Sequence, residues 1–364
     1  MKILIANSDI NQKWDNYVHS HPAGTIFHLS SWLEALENES GQKVIRIISY
    51  DDKDQINGIF PLQFTAGLPT AFGGVLGAKR LSSLPRTPTG GPVASHTRIT
   101  KGLIEKAIDM VDRHSDHLLQ IKSFADDLNQ KLEPLNKYFW REIYLKEIPD
   151  HNAQIRFGDS RNHTAVKRAV NKARKNGVTY RIVDSPDDLK RWYHLYLETM
   201  RFHVAPARSY NFYKRLWDTL QLPGLMQLVV AEIGDRHKKT FIAGNILFYY
   251  KKMVCYAFNG SSRKYFEFRA NDLLHWEAIF DAQKKGFKYY NFGEVSQGHI
   301  GLAAYKKKWS SSIWRLNHYY YPKPPHLKDE MLDPGTIRGV KGIFWQLLPL
   351  RLTAKLGEYV VKKL

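Results

Sequence analysis

Residues 241–309 read FIAGNILFYYKKMVCYAFNGSSRKYFEFRANDLLHWEAIFDAQKKGFKYYNFGEVSQGHIGLAAYKKKW, and this stretch decides the fold. Two apolar runs rich in β-forming residues, Phe241–Tyr250 and Met253–Asn259, flank the polar pair Lys251-Lys252. Such a pattern predicts a β-hairpin closed by a tight polar turn. We therefore expect two neighbouring antiparallel strands here.

A helix and a further strand follow this hairpin. Apolar residues recur with helical spacing from Asn271, and Gly286 supplies a C-terminal stop. The next short strand, Phe287–Phe292, ends at Gly293-Glu294. Two strand ends and a helix start therefore meet at one place, and in an open sheet such a junction is where ligands usually bind.

Four motifs in this stretch resemble the C-terminal half of the FemAB-like (Fem-type) family, which includes peptidyltransferases that add amino acids to peptidoglycan precursors. The motifs are YAFNGS at Tyr256–Ser261, NDLLHWE at Asn271–Glu277, GFKYYNFG at Gly286–Gly293, and Gly301-Leu302 followed by Tyr305-Lys306. Their order and spacing are more specific than any motif alone. A looser resemblance extends over residues 15–320 and is greatest to family members from exopolysaccharide clusters.

The resemblance implies an α/β (α+β) fold of two tandem GNAT-type domains. The sequence itself suggests an internal duplication, because the predicted hairpin Lys43–Tyr50 with Gln55–Phe64 resembles Leu225–Ile233 with Thr240–Tyr249. Two unrelated hairpins would give the same pattern. We predict an N-terminal domain over residues 1–155, a C-terminal domain over 156–322 with most of the site, and a basic tail over 323–364.

Composition favours a globular protein with an anionic partner. The chain has 364 residues, 43% of them hydrophobic, and a formal net charge of +19. Nucleic acid, phospholipid or a phosphorylated substrate would fit that charge, and solubility alone is the other interpretation. The single cysteine, Cys255, indicates a reducing compartment. Without a signal peptide or an apolar span, we expect a cytoplasmic protein, with contact at the inner face of the membrane left open.

Lys306 and Glu294 are the candidate catalytic residues. In family peptidyltransferases a lysine at the position of Lys306 is thought to stabilise charge on the reacting ester, and the resemblance implies that role here. Lys306–Lys308 as a solvated basic run is the alternative. Glu294 follows a predicted strand end, where it would accept a proton or cap a turn.

Two further groups of residues are candidates for binding. The substrate-binding group contains Tyr256, Asn259, Arg201, Arg263, Arg269, Asn271 and Tyr305. The second group lies on a predicted helix within residues 161–181, which hold seven basic residues and no acidic one. Its Lys167, Arg168 and Lys172 would contact phosphate, or they form a solvated face.

No metal or resident cofactor is expected. The chain has no HExxH, EF-hand or P-loop motif and no Cys/His cluster. An activated acyl donor would act as co-substrate. An acetyl-CoA site of the usual kind needs a glycine-rich turn so that backbone N–H groups reach the pyrophosphate, and residues 260–272 read GSSRKYFEFRAND. Acetyl-CoA is therefore not the expected donor.

The tail ends in a predicted amphipathic helix. Leu352, Leu356, Tyr359 and Val360 form an apolar stripe, opposite Arg351, Lys355 and Lys362. Such a helix lies on a membrane or packs on its own protein, and we expect packing.

The resemblance implies transfer of an acyl or aminoacyl group to an amine on a cell-envelope or exopolysaccharide precursor. If aminoacyl-tRNA is the donor, the positive charge of the protein would help to bind it. The sequence has no long heptad insert that would form the coiled-coil arm of some peptidoglycan-bridge enzymes. Two alternatives stay open. One is a non-catalytic basic protein that binds nucleic acid or anionic lipid, and the other is an N-acyltransferase that uses acyl-carrier protein or acyl-CoA.

Overall fold

The structure, a computed structural model, describes residues 2–69, 75–76, 79–114, 117–126, 128, 135–234, 239–296, 298–322 and 345–363. These residues fall into two compact units. The first contains the described residues up to 140, 315–322 and those from 359 onward. The second contains residues 141–314 and 345–358.

The second unit holds the stretch quoted above. Its strands are β9 (Asn136–Glu147, from Arg141 onward), β10 (Thr179–Val183), β11 (Met226–Gly234), β12 (Lys239–Tyr250), β13 (Met253–Ser261) and β14 (Tyr289–Val295). Its helices are α4 (Ser160–Lys175), α5 (Pro186–Phe202), α6 (Tyr210–Leu220), α7 (Ala270–Lys284), α8 (Ile300–Lys307) and most of α9 (Leu350–Val361). The predicted hairpin and the helix after it are confirmed as β12–β13 and α7.

Local sequence explains where these helices begin. The side-chain oxygen of Ser185 accepts a hydrogen bond from the backbone N–H of Asp188, and a proline occupies the first turn of α5. Ser209 caps α6 and Asp159 caps α4 in the same way. Each cap satisfies a backbone donor that the first turn of a helix leaves unpaired.

The sheet of the second unit runs in the order β9–β14–β13–β12–β11–β10. All neighbours are antiparallel except β13 and β14, which are parallel. That parallel pairing covers three positions, the last of them Cys255 opposite Asn291. Beyond it β13 continues to Ser261 and β14 to Val295, so the two strands separate where the predicted site lies.

Two helices pack against this sheet to form the core. Helix α7 buries Leu274, Ala278 and Ile279, and α4 buries Val166 and Val170, in one cluster with strand residues. On α5, the backbone lies so close to β13 that a Cβ on Gly260 would meet the Tyr196 nitrogen at 2.6 Å. Only glycine therefore allows this approach of helix to strand.

The first unit repeats this topology. Its elements are β1 (Lys2–Ala6), α1 (Asn11–Ser20), α2 (Ser30–Ser40), β2 (Ile45–Tyr50), β3 (Ile56–Thr65), β4 (Leu68–Pro69), β5 (Val75–Leu76), β6 (Arg80–Ser82), β7 (Val93–Ala94), α3 (Thr97–Asp112), β8 (Leu118–Ser123) and β15 (Ser312–Tyr321, from Arg315 onward). Strands β1, β2, β3 and β6 pair antiparallel, and β6 pairs parallel with β8. With the short strands β4, β5 and β7 left aside, the order strand, two helices, three strands, helix, strand is found twice. The predicted α/β fold is confirmed.

The parallel pair of the first unit stays joined beyond its register. The backbone N–H of Ser83 donates to the carbonyl oxygen of Gln120 at 2.8 Å, and the N–H of Lys122 donates to the Ser83 hydroxyl at 2.9 Å. The Nζ atom of Lys122 donates to the carbonyl oxygens of Leu84 and Thr87. These bonds hold β6 and β8 of the first unit together at the position equivalent to the one where β13 and β14 of the second unit separate.

Each unit takes a strand that the sequence prediction placed in the other domain. Residues Arg141–Glu147 precede the predicted boundary at 155, yet Ile143 pairs with Glu294 of β14 in the second unit. Likewise β15 precedes the predicted boundary at 322, yet Tyr319 pairs with Ile121 of β8 in the first unit. The two units therefore divide near residues 140 and 314.

The terminal helix α9 packs on its own protein, as predicted, but not through the predicted stripe. Thr353 and Gly357 are buried, whereas Leu352, Leu356 and Tyr359 are exposed. A Cβ on Gly357 would meet the backbone nitrogen of Ala207 at 2.6 Å, so the helix approaches residues 201–207 along its small-residue face. The apolar stripe remains in contact with solvent.

Candidate active site

A cavity of about 490 Å³ opens in the second unit beside the separated strands. Its walls come from the end of α5, strands β12 and β13, a 3-10 helix over Arg263–Phe268, the start of α7, and α8. Six of the seven predicted substrate-binding residues line it: Tyr256, Asn259, Arg263, Arg269, Asn271 and Tyr305. The sequence motifs therefore converge on one cavity.

One wall of the cavity carries a chain of three asparagines. Asn245 on β12 lies directly opposite Asn259 on β13. The Nδ2 atom of Asn259 donates to Oδ1 of Asn245 at 2.8 Å and to Oδ1 of Asn271 at 3.1 Å. Because Asn271 is in the first turn of α7, these bonds fix the start of that helix against both strands.

The start of α7 also holds a buried carboxylate between two cations. Nε of Arg269 lies 3.0 Å from one oxygen of Asp272, and Nζ of Lys308 lies 2.6 Å from the other. Arg269 itself adopts a left-handed conformation, with φ of 61°. The guanidinium of Arg269 is thus already paired, which leaves less of its charge for a phosphate than the sequence suggests.

His275 and Tyr256 form an aromatic part of the lining. Their ring centroids lie 4.8 Å apart, and Nδ1 of His275 is 3.0 Å from the hydroxyl of Tyr290. Burial, followed by the charges of Lys308 and Lys306, lowers the pKa of His275 to about 3. His275 is therefore neutral at physiological pH and is a poor proton acceptor.

Lys306 is buried where β13 and β14 separate. Its Nζ donates to the carbonyl oxygen of Glu294 at 3.0 Å. The same Nζ and the carbonyl oxygen of Tyr256 both lie 3.7 Å from where a Cβ on Gly293 would be, and Gly293 has φ of 77°. Burial lowers the pKa of Lys306 to about 8, against the opposing charge of Glu294. The ammonium form therefore predominates near neutral pH.

The side chain of Glu294 has a different environment from the one expected of a general base. Oε1 lies 3.4 Å from Nη1 of Arg141, and the residue does not line the cavity. Oε2 is buried and accepts no hydrogen bond from the part of the chain that the structure describes. Its contact with the predicted catalytic lysine is made through its backbone carbonyl.

The two remaining arginines of the predicted set differ, because Arg263 lines the cavity and Arg201 does not. The guanidinium of Arg263 lies over the rings of Phe202 and Phe266, at 4.0 and 4.9 Å from their centroids. Nη1 of Arg201 donates to the carbonyl oxygen of Leu348 at 3.1 Å, and Arg201 is not a lining residue. Arg201 thus contacts the segment that precedes α9.

The predicted anion-binding residues lie on the exposed face of α4. Lys167, Arg168 and Lys172 are exposed, and no ion pair joins them to another described residue. None of them lines the cavity. The structure therefore leaves these charges available on a surface of their own.

Three residues of the site were not predicted to be functional: Asn245, Asp272 and His275. A lone amide within the apolar run of β12 was the available signal for Asn245, since buried polar groups are normally hydrogen-bonded. Asp272 and His275 belong to the NDLLHWE motif, but their partners Lys308 and Tyr290 are distant in sequence. Among the described residues no His/Cys/Asp/Glu cluster could hold a metal ion.

Residues 160–307 match the acetyltransferase (GNAT) domain family. They form a GNAT domain. The match lies within the second unit and includes the whole cavity lining. The predicted resemblance to the FemAB-like family is thereby confirmed. No curated protein matches the chain by sequence.

Solved structures support the same fold over most of the chain. FemX is similar with a TM-score of 0.66 and 16% identity, over 87% of this chain and 97% of FemX. The C-terminal domain of a putative lysylphosphatidylglycerol synthetase from Agrobacterium fabrum has a TM-score of 0.57 and 12% identity, over 92% and 100% of the two chains. L-PGS from Bacillus licheniformis has a TM-score of 0.52 and 13% identity, over 83% of this chain and 95% of L-PGS. The chain thus shares its fold with these three proteins over most of its length.

Within the described ranges, none of the helices has both the length and the apolar character that crossing a bilayer requires.

Proposed function

We propose that this protein transfers an aminoacyl or acyl group from an activated ester to an amine on a cell-envelope or exopolysaccharide precursor. One observation carries the proposal: the buried ammonium group of Lys306 lies where β13 and β14 separate, and Lys306 directly follows Tyr305 of the cavity lining. A positive charge in such a place stabilises the negative charge that develops on a carbonyl oxygen during acyl transfer.

The separated strands offer a place for the donor. Beyond Cys255 the edge of β13 that faces β14 is no longer paired with that strand. An extended acyl chain or aminoacyl group can lie along such an edge and bond to its backbone groups. Its carbonyl carbon would then be near Lys306, and the acceptor would approach through the cavity.

The reaction is a nucleophilic substitution at the donor ester. A neutral amine nitrogen attacks the carbonyl carbon, and the C–N bond forms as the C–O bond to the leaving alcohol breaks. The amine loses one proton and the departing alkoxide gains one, so no oxidant or reductant is needed. Lys306 keeps its proton and stabilises the tetrahedral oxyanion, while the aligned donor and acceptor reduce the entropic cost.

Aminoacyl-tRNA is the donor that we favour. The formal charge of +19 and the exposed basic residues of α4 suit a polyanion. The region before α7 is a 3-10 helix rather than a glycine-rich turn, so an acetyl-CoA pyrophosphate has no close approach to backbone N–H groups there. Acyl-carrier protein and acyl-CoA are the alternative donors. No resident cofactor is part of this proposal.

The acceptor that we favour is an amine or amine-bearing headgroup of an envelope precursor. Two structural neighbours are lysylphosphatidylglycerol synthetases by name, one of them putative, and that name describes a lipid that carries an amino acid. The cavity lining is partly aromatic and includes Tyr256, Tyr265 and Phe266. We infer an enzyme that works in the cytoplasm, at or near the inner face of the membrane.

A second candidate function is polyanion binding without turnover. The exposed Lys167, Arg168 and Lys172, and the aromatic residues that interleave with basic ones over Arg263–Arg269, favour it. Transfer assays separate the two. Labelled aminoacyl-tRNA, acyl-carrier protein and acyl-CoA are each incubated with the protein and an extract of envelope precursors. Label in an amide product supports the transferase, and salt-sensitive binding with no product from any donor supports the binding protein.

A further inference from the structure

Helix α9 and the residues before it expose an apolar stripe beside positive charge. Leu352 and Leu356 are 47% and 44% exposed, and Leu347 is more exposed still. Arg351 and Lys355 are exposed on the same helix. We call these five residues the α9 face. Residues 345–363 contain four basic residues and one acidic residue, so the stripe is flanked mainly by positive charge.

The orientation of this face is fixed by contacts on the opposite side of the segment. Nε2 of Gln346 donates to the carbonyl oxygen of Phe202 at 2.7 Å, and Arg201 donates to that of Leu348. Gly357 packs on Ala207, as described above. Rotation of the helix to bury its leucines would break these contacts and would put a residue with a side chain in the place of Gly357, where a Cβ meets the backbone of Ala207.

The same contacts place the α9 face beside the entrance of the cavity. Phe202, whose carbonyl holds Gln346, lines the cavity, and its ring lies against Arg263. Phe266, on the other side of Arg263, is 54% exposed. Exposed apolar and basic groups therefore continue from α9 to the rim of the cavity. Contiguous exposed apolar surface of this kind usually marks an interaction site.

We propose that the α9 face docks on an anionic lipid bilayer and thereby brings the cavity entrance to the membrane surface. The proposal rests on the proposed transferase function and deepens it, because the acceptor is then a lipid or a lipid-linked precursor with an amine. Leucines enter the boundary between headgroups and acyl chains, while Arg351 and Lys355 pair with anionic headgroups. A second copy of the chain fits less well, since a symmetric contact would bring the same basic residues together.

The test is co-sedimentation of the full chain with phosphatidylglycerol-containing vesicles and with pure phosphatidylcholine vesicles. We expect binding to the anionic vesicles, weakened by salt. Leu352→Glu with Leu356→Glu should lower the partition coefficient at least about tenfold, because two apolar contacts are lost. Arg351→Glu with Lys355→Glu should lower it by at least about 30-fold, because two attractive charges are lost and two repulsive ones are added.

Matched controls come from exposed residues elsewhere. Leu222 is 91% exposed, and Leu222→Glu should bind vesicles like the parent. Lys13→Glu with Lys53→Glu makes the same charge change as the arginine–lysine pair, at exposed positions. It should cause less than about a threefold change, because these charges lie outside the α9 face.

Three outcomes would overturn the proposal: no binding to anionic vesicles, equal loss in the control variants, or dimers that Leu352→Glu with Leu356→Glu dissociates. Transfer to a water-soluble amine is measured as well, so that failure of the docking proposal can be distinguished from failure of the proposed function. Variants of the α9 face should retain that transfer while losing activity on vesicle-bound acceptors. Vesicle binding by a protein that transfers nothing to either acceptor would refute the transferase proposal and leave the docking surface standing.

Discussion

The ammonium group of Lys306 donates a hydrogen bond to the backbone carbonyl of Glu294 at 3.0 Å. This bond joins α8 to β14 at the point where β14 has left β13. The lysine is therefore held in place before any substrate binds. A preorganised charge of this kind stabilises a transition state without reorganisation at the moment of reaction.

Replacement of Lys306 should abolish most transfer activity while the protein stays folded. We expect Lys306→Ala to lower kcat by about 10²–10³, the usual effect of removing one oxyanion-stabilising donor. The exposed neighbour gives a matched control, and Lys307→Ala should keep parental turnover. Single-turnover rates with saturating donor provide the measurement, with circular dichroism as the test of folding. Equal rates in the two variants would remove Lys306 from the mechanism.

The pH dependence of transfer should report the same lysine. The pKa of Lys306 is lowered to about 8, so the charged form predominates below that pH and is lost as pH rises through it. With an acceptor amine that is neutral over the whole range, kcat/KM should therefore fall on the alkaline side with a midpoint near 8. In Lys306→Met the residual rate should show no such fall. An alkaline limb that persists in this variant would assign the titration to another group.

The buried carboxylate at the start of α7 should contribute strongly to stability. Asp272→Asn leaves Arg269 and Lys308 without their counter-charge, and we expect unfolding free energy to decrease by about 3 kcal/mol. Asp281→Asn, in the same helix, breaks the more exposed pair with Lys285 and should cost less than about 1 kcal/mol. Urea denaturation of the three proteins measures both values. Similar costs for the two substitutions would show that burial of the pair does not matter.

Charge reversal on α4 should weaken binding of the polyanionic donor. Lys167→Glu, Arg168→Glu and Lys172→Glu together should lower tRNA affinity and flatten its dependence on salt concentration, because fewer counterions are released. Reversal of Lys13, Lys43 and Lys53, which are exposed in the first unit, is the control for net charge. Filter binding over a salt series gives both quantities. If the α4 and control variants behave alike, the α4 residues are a solvated face.

Acetyl-CoA should bind weakly or not at all. Arg263–Phe268 forms a 3-10 helix before α7, and its bulky side chains occupy the position of a glycine-rich turn. Calorimetry with acetyl-CoA should give no saturation in the micromolar range. Micromolar binding, with the pyrophosphate located at Asn271 in a soaked crystal, would contradict this prediction and move the protein to the ordinary acetyltransferases.

Local periodicity was enough to predict the hairpin β12–β13 and helix α7, because each depends on residues close in sequence. It did not predict the partners that cross the fold. Asp272 pairs with Lys308, and Arg141 pairs with Glu294, 153 positions away. The first pair depends on how the segment after α8 packs on the start of α7, and the second on the pairing of β9 with β14, and no local pattern contains either.

The terminal helix illustrates a second limit. Its hydrophobic period correctly indicates an amphipathic helix but does not say which side faces the protein. Close packing of Gly357 against Ala207 decides that, since a small residue allows helix and backbone to approach. The leucine stripe, which the sequence suggested as the packed side, is left outside as a consequence.

The joined strand ends of the first unit have a consequence for what each unit can bind. Hydrogen bonds through Ser83, Gln120 and Lys122 join β6 to β8. They occupy backbone groups of the first unit at the position where β13 and β14 of the second unit are separated. An extended chain that needs backbone partners therefore finds this place in the first unit already filled, whereas the edge of β13 beyond Cys255 is not paired with β14.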